Sequence, residues 1–387
     1  MSHSVAERKA TIQMPRPGPG DVDVIRSLGE RLADAAEESS RSGTAESWRR
    51  LNDREPDRPM VWITEIPWHE INEDGVLDLH CKDPFLRDLE QGMRRTLFQW
   101  DHFRVDSVIQ NWLACPKVWH STGFGFDVQE DVLPQHQDGG ISSHHYHPQL
   151  TEPEHLEQFR NPVVTYDRET SEARHAFLSD LLRDVLPVRL TGIRHIWFTP
   201  WDNLYHFIDP SEFMYDMIDR PEFIHEMVRR YVDTQLAELD QFQALGLLSP
   251  GASNVRVGSG GYGYTSDLPG DEKVEDAVNT SDLWGCGNAQ IFAEISPDMH
   301  WDFSLQYEMR WLERWGANYY GCCEQLHEKI DILRRIPHLR KISASPRCDL
   351  RAAREAGNDR KFNFRIKQIR INLATESGLC KVKIDGC

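Results

Sequence analysis

The chain has 387 residues, enough for one large domain or two ordinary ones and more than the roughly 250 residues of a typical (β/α)8 barrel. With 39% apolar and 27% charged residues it is too hydrophobic for global disorder and too polar for a membrane protein. A formal charge of −18 works against binding a phosphate backbone, so no nucleic acid partner is expected. The first residues lack the apolar core of a signal peptide, and no run of about 18 apolar residues offers a membrane span, so a cytoplasmic location is expected. Eight cysteines (Cys81, Cys115, Cys286, Cys322, Cys323, Cys348, Cys380 and Cys387) are scattered without an export signal and read as thiols; only Cys322 and Cys323 cluster.

In chain order, residues 1–23 combine prolines and glycines with few large apolar side chains and are expected to form a flexible arm. Residues 24–58 read as an N-terminal helical extension. Ile25, Leu28, Leu32 and Ala35 keep helical spacing, Arg41-Ser42-Gly43 interrupts it, and Trp48 and Leu51 give one further turn. The body begins near Pro59 with the short apolar run Met60 to Ile63, read as a buried strand. Further strands are expected at Val105–Leu113, Leu186–Ile193, Ala289–Ile295, Ala317–Cys322, Leu339–Ala344 and Phe362–Ile366. Pro221 to Leu245 predicts a long amphipathic helix stopped by Gly246, and Ser296-Pro297-Asp298 opens another that runs to Trp315. Strands alternating with helices imply a parallel α/β sheet, either open or closed.

Several blocks decide between these. Trp48-Arg-Arg-Leu-Asn-Asp, Arg58-Pro-Met-Val-Trp-Ile-Thr-Glu, Leu186-Pro-Val-Arg-Leu-Thr-Gly, Ile295-Ser-Pro-Asp-Met-His, Tyr320-Gly-Cys-Cys-Glu and Leu339-Arg-Lys-Ile-Ser-Ala-Ser-Pro occur in this order. The stretch that contains them resembles the uroporphyrinogen decarboxylase superfamily, in particular its branch related to corrinoid-dependent methyltransferases. The resemblance implies a (β/α)8 TIM-type barrel over residues 59–357, with reactive groups in the loops after the strands. Residues 358–387 are a diverged basic tail with no crossover helix between Phe362–Ile366 and Leu379–Ile384. A truncated or altered C-terminus and an incompletely closed barrel are therefore expected.

In the related methyltransferases, a histidine and a cysteine two residues later supply zinc ligands from the strand that here ends in Tyr320-Gly321-Cys322-Cys323-Glu324. Tyr320 stands at the histidine position. Cys322 and Glu324 are the metal candidates, against the alternative that the cysteines are packing residues. Adjacent cysteines on a strand point to opposite faces, so only one of the pair is expected to face the site. Glu65 and Glu70 after the first strand, Glu294 before the Ser296 helix, and Asp349 after Ser343-Ala-Ser-Pro are candidate acids, bases or ligands at the barrel mouth. The alternative for Asp349 is a helix cap. His69, His300 and His327 are weaker candidates of the same kind.

Two conspicuous tracts carry less. His144-His145-Tyr146-His147 reads as a solvated loop, and Gly258-Ser-Gly-Gly-Tyr-Gly as a flexible loop that opens no helix. The tryptophans, Trp62, Trp197, Trp284, Trp311 and Trp315 among them, read as core or as the lining of a flat cavity.

Three functions follow from these readings. The first is transfer of a methyl group between a small molecule and a corrinoid on a partner protein, with zinc polarising the donor or stabilising a thiolate acceptor. The second is decarboxylation of a tetrapyrrole, disfavoured because Thr64-Glu-Ile-Pro-Trp stands where that enzyme carries Arg-Gln-Ala-Gly-Arg. The third is a non-catalytic ligand-binding barrel. A homodimer is compatible with all three.

Overall fold

The computed structural model describes residues 14–64, 66–68, 70–72, 74–133, 142–271, 278–345, 347–349 and 351–353. The expected strands at 362–366 and 379–384, and Glu65 and His69, lie outside the described residues.

The first helix, α1 (Asp21–Arg41), begins inside the segment expected to be an arm. Asp21 anchors it there. Its buried carboxylate accepts the backbone N–H groups of Gly18, Lys82 and Asp83 at 2.8, 3.0 and 3.1 Å. Gly43, at φ 72°, separates α1 from α2 (Thr44–Asn52), as the sequence predicts. Ile25, Leu28, Leu32 and Ala35 bury one face of α1 against α3 (Pro84–His102) and the buried side of α4 (Arg168–Leu181), in a cluster with Leu86, Met93, Leu97, Leu178 and Leu182.

Nine short strands are described. β1 (Leu113–Pro116) pairs in parallel with β6 (Val188–Thr191), and β7 (Trp284–Gly287), β8 (Ala317–Tyr320) and β9 (Leu339–Ile342) form a parallel three-stranded sheet in that order. Parallel bridges at Ile193–Leu248 and Phe198–Gly287 continue the pattern beyond β6. β2 (Val118–Ser121) and β5 (Val164–Asp167) pair antiparallel, as do β3 (Glu130–Leu133) and β4 (Ser143–Tyr146). The fold is thus mixed α/β with small sheets, and among the described residues these do not close into a ring.

Several expectations shift. Met60–Ile63 forms no strand; Val61 is tied to Asp106, donating to its carboxylate at 2.6 Å and accepting its N–H at 2.9 Å. The strand expected at 105–113 starts only at Leu113, and the one expected at 289–295 lies earlier, at Trp284–Gly287. Two glycines dilute the apolar signal of that run, yet all four residues are buried. Gln290–Phe292, inside the expected strand, is a single 3-10 turn. His144–Tyr146 belongs to an exposed strand rather than a loop, because His144 and His147 pair across the hairpin with Glu130 and Asp131. The Gly258 loop is packed, not loose: a Cβ on Gly258 would stand 2.5 Å from the Tyr319 ring, and one on Gly261 2.6 Å from Trp48.

The long helix α7 (Pro221–Ala244) agrees with its prediction. Phe223, Ile224, Met227, Val228, Tyr231, Val232, Leu239 and Phe242 face the main core, preceded by α5 (Pro200–Leu204) and α6 (Pro210–Asp219). Ser296 caps α8 (Pro297–His300), its hydroxyl accepting the Met299 N–H. A π-helical turn over Trp301–Leu305 then joins α8 to α9 (Gln306–Leu312). Trp201, Trp284, Trp311 and Trp315 are fully buried core, whereas Trp62 and Trp197 are only half-buried. No helix among the described residues is long and apolar enough to cross a membrane.

Candidate functional site

Chemistry-bearing residues converge where β7, β8 and β9 end. After Tyr320 the chain cannot continue as a strand: Gly321 adopts φ 101°, a conformation that favours glycine. The turn breaks the strand alternation, so Cys322 and Cys323 do not diverge to opposite faces as a strand would require. Their sulfurs stand 3.7 Å apart. Both residues are half-buried, unlike the buried Cys81, Cys115 and Cys286.

Glu324, with no exposed surface, fastens this turn. Its Oε2 accepts the Cys322 N–H at 2.6 Å and its Oε1 accepts the Ala289 N–H at 2.9 Å, so one carboxylate ties the end of β8 to the end of β7. Burial raises its pKa, while the backbone N–H groups work in the opposite direction. From the other side, the Ser343 hydroxyl after β9 donates to the Cys322 carbonyl at 2.5 Å.

Beside the turn, Asp202 reaches the same strand ends from α5. Asn288 donates to it at 2.8 Å, and Gln290 donates through its backbone at 3.3 Å and its side-chain amide at 3.1 Å. The Trp197 indole N–H in turn donates to the Asn288 carbonyl. Burial raises the Asp202 pKa, against the lowering effect of these donors. The Arg256 guanidinium lies 5.7 Å from the Trp62 ring and 5.5 Å from the Trp197 ring, and its Nε donates to the Gly258 carbonyl at 2.7 Å.

Behind β7 sits a second buried carboxyl. Glu308 has no exposed surface, receives the Ser304 hydroxyl, and lies so near the strand end that a Cβ on Gly287 would stand 3.4 Å from its Oε2. Burial pushes its pKa up to about 7, helped by the nearby Glu324 and Asp202 charges. His300, equally buried, faces the Tyr320 hydroxyl at 3.0 Å, and burial drives it down to about 3; enclosure lowers His195 to about 4.

These shifts set a pH dependence. From its ordinary 4.5 up to about 7, Glu308 keeps a proton when folded that it loses when unfolded, so its contribution to stability falls as pH rises through that window. His195 and His300 act oppositely: below 6.5 the unfolded chain takes up protons that the folded one refuses, so stability falls on acidification. Glu308→Gln is expected to remove the first slope and leave the second. Relative to wild type, the variant should gain up to roughly 3 kcal/mol between pH 5 and pH 8, measured by urea unfolding. A constant difference across that range would show that Glu308 titrates normally.

The structure gathers only part of the predicted site. Glu70 is exposed. Glu294 is exposed beside the turn, accepting the Gln325 amide at 3.1 Å. Asp349 is also exposed and takes the helix-cap alternative, accepting the N–H groups of Arg351 and Ala352 at 2.8 and 3.0 Å. His327 has 11% of its side chain exposed and lies 3.9 Å from Glu328. Asp202, Asn288 and Glu308 are functional candidates that sequence reasoning missed. For Glu308 a signal existed: His300, Ser304 and Glu308, four residues apart, form a polar stripe on the core face of one helical run.

Zinc does not fit the described residues. Two thiolates about 2.3 Å from a tetrahedral ion stand about 3.8 Å apart, close to the observed separation. Yet Glu324, the expected further ligand, has both oxygens occupied by backbone N–H groups, and the described residues include no group of three or more His, Cys, Asp or Glu placed to hold a metal. A separate cavity of about 420 Å³ lies beside the starts of β1 and β6, lined by Trp112, Arg189, Ser253, Tyr264 and Asp271 among others.

Fold and site together define a mixed α/β protein with a thiol pair and buried carboxyls gathered at the ends of parallel strands. The chain matches no protein-family model, and no curated protein or solved structure is significantly similar to it.

Proposed function

We propose that this chain is a (β/α) barrel enzyme of the uroporphyrinogen decarboxylase and corrinoid methyltransferase kind, which moves a methyl group between a small molecule and a corrinoid carried by a partner protein. The reading rests on one observation above the rest: Cys322, Cys323 and the Asp202–Asn288 pair meet at the C-terminal ends of parallel strands, where barrel enzymes keep their chemistry. A bound corrinoid would supply the metal centre that takes or gives the methyl group. The chain's own residues supply the rest. Asp202 is the group assigned to pass a proton to or from the heteroatom that exchanges the methyl group, and Asn288 fixes the carboxyl in place. The Trp197 indole, whose N–H holds Asn288, puts an apolar face beside these polar contacts.

The test is demethylation of methylcobalamin by the full chain, offered a panel of thiol and phenol acceptors and followed by the loss of its visible band. Turnover with at least one acceptor is expected, reduced about 100-fold or more in Asp202→Asn. No turnover with any acceptor overturns the reading.

A second reading, decarboxylation of a tetrapyrrole, draws support from the Arg256 guanidinium held near two indole rings, an arrangement suited to a flat anionic ligand. Loss of carboxylate groups from uroporphyrinogen, with methylcobalamin untouched, would establish it instead.

A further inference from the structure

We propose that Cys322 and Cys323 form a chelating dithiol site for a trivalent arsenical, one metalloid atom bound by both sulfurs. The inference stands on the geometry of the turn and is independent of the methyl-transfer reading.

The thiol pair is built into the fold rather than left to chance. Gly321 turns the chain at φ 101°, and a Cβ there would stand 2.3 Å from the Leu326 side chain, so the bend that brings the sulfurs together is one that glycine fits. Glu324 holds the Cys322 N–H and Ser343 holds the Cys322 carbonyl, which fixes the backbone of Cys322 on both sides. The sulfurs therefore meet a ligand already 3.7 Å apart, and little ordering entropy remains to be lost on chelation.

The separation and the donor count select the ligand. A soft cation in linear two-coordination holds its sulfurs about 4.6 Å apart for bonds of about 2.3 Å, longer than the turn provides, whereas a bent S–X–S unit holds them at about 3.8 Å or less. A four-coordinate ion needs two more donors, and the nearest carboxylate is committed to backbone N–H groups. Trivalent arsenic with one organic substituent is bent at the metalloid and complete with two thiolates. The step balances without a redox partner: R–As=O and two thiols give R–As(S-Cys)2 and water. Two As–S bonds form, the arsenic–oxygen bond breaks, and the oxygen leaves with both thiol protons while arsenic stays trivalent.

The probe is phenylarsine oxide, added to the reduced full chain and read by intact mass and by mapping the modified peptide. One arsenical per chain is expected on the peptide that carries Cys322 and Cys323, retained in excess monothiol and released by a dithiol. Cys322→Ser and Cys323→Ser should each lower retention in monothiol at least tenfold, and Cys348→Ser should leave it unchanged. Mapping on the wild-type chain decides the matter even if a variant fails to fold. An adduct on other cysteines, or one that monothiol strips from the wild type, overturns the proposal.

Discussion

Glu324→Ala is expected to destabilise the chain by about 3 kcal/mol and to release the thiol turn. The alanine cannot accept the N–H groups of Cys322 and Ala289, and each buried donor left without a partner costs about 1–3 kcal/mol. Burial itself makes the native carboxylate costly, which limits the net loss to the lower half of the summed range. Glu324→Gln separates the contributions. Its single carbonyl oxygen can serve one of the two N–H groups, so roughly half the loss should return. Urea unfolding of the three proteins gives the comparison; a change below about 1 kcal/mol in the alanine variant would mean that this carboxylate does not hold β7 to β8.

Gly192→Ala should be the more damaging substitution, by at least about 3 kcal/mol. Here the chain leaves β6 and runs directly against the segment after α7. Ile193 donates to the Leu247 carbonyl at 2.6 Å, the Ser249 N–H donates back to the Ile193 carbonyl at 2.9 Å, and the Ser249 hydroxyl takes the Gly192 N–H at 2.7 Å. A Cβ on Gly192 would stand 2.0 Å from the Leu247 carbonyl oxygen. That neighbour is backbone, held by its own hydrogen bonds, and cannot swing aside as a side-chain tip would. Gly246→Ala is the control. It sits at φ 66° with nothing within 4 Å of its Cβ, so it bears only the left-handed strain, about 1 kcal/mol. Thermal melts should rank the pair clearly, and equal losses would show that the backbones at Gly192 do not approach so closely.

Both predictions concern places that the sequence could not show. Leu186-Pro-Val-Arg-Leu-Thr-Gly identified a strand, but nothing in it announced that the glycine faces a carbonyl 55 positions later in the chain. Tyr320-Gly-Cys-Cys-Glu was legible as a strand end bearing thiols. The expectation that only one thiol would face the site failed because strand alternation was applied beyond Tyr320, where Gly321 had already turned the chain. Glu324 was singled out as a ligand, and its carboxylate instead serves the backbone. The choice between those roles depends on Ala289, which only the pairing of β7 with β8 brings near.

Local periodicity by itself determined the helices whose apolar faces repeat over several turns: α1 and α2 with the break at Gly43, α7 with its stop before Gly246, and the Ser296 cap. Such patterns are legible because a 3.6-residue repeat is a property of neighbouring residues alone. Short buried strands such as Trp284–Gly287 have no such repeat, and their limits followed only from which chain lay alongside. The tertiary structure likewise decided the candidate site. Asp202, Asn288 and Glu308 acquire shifted acidities or fixed partners through burial and long-range contact, and those causes act between residues as much as 106 positions apart.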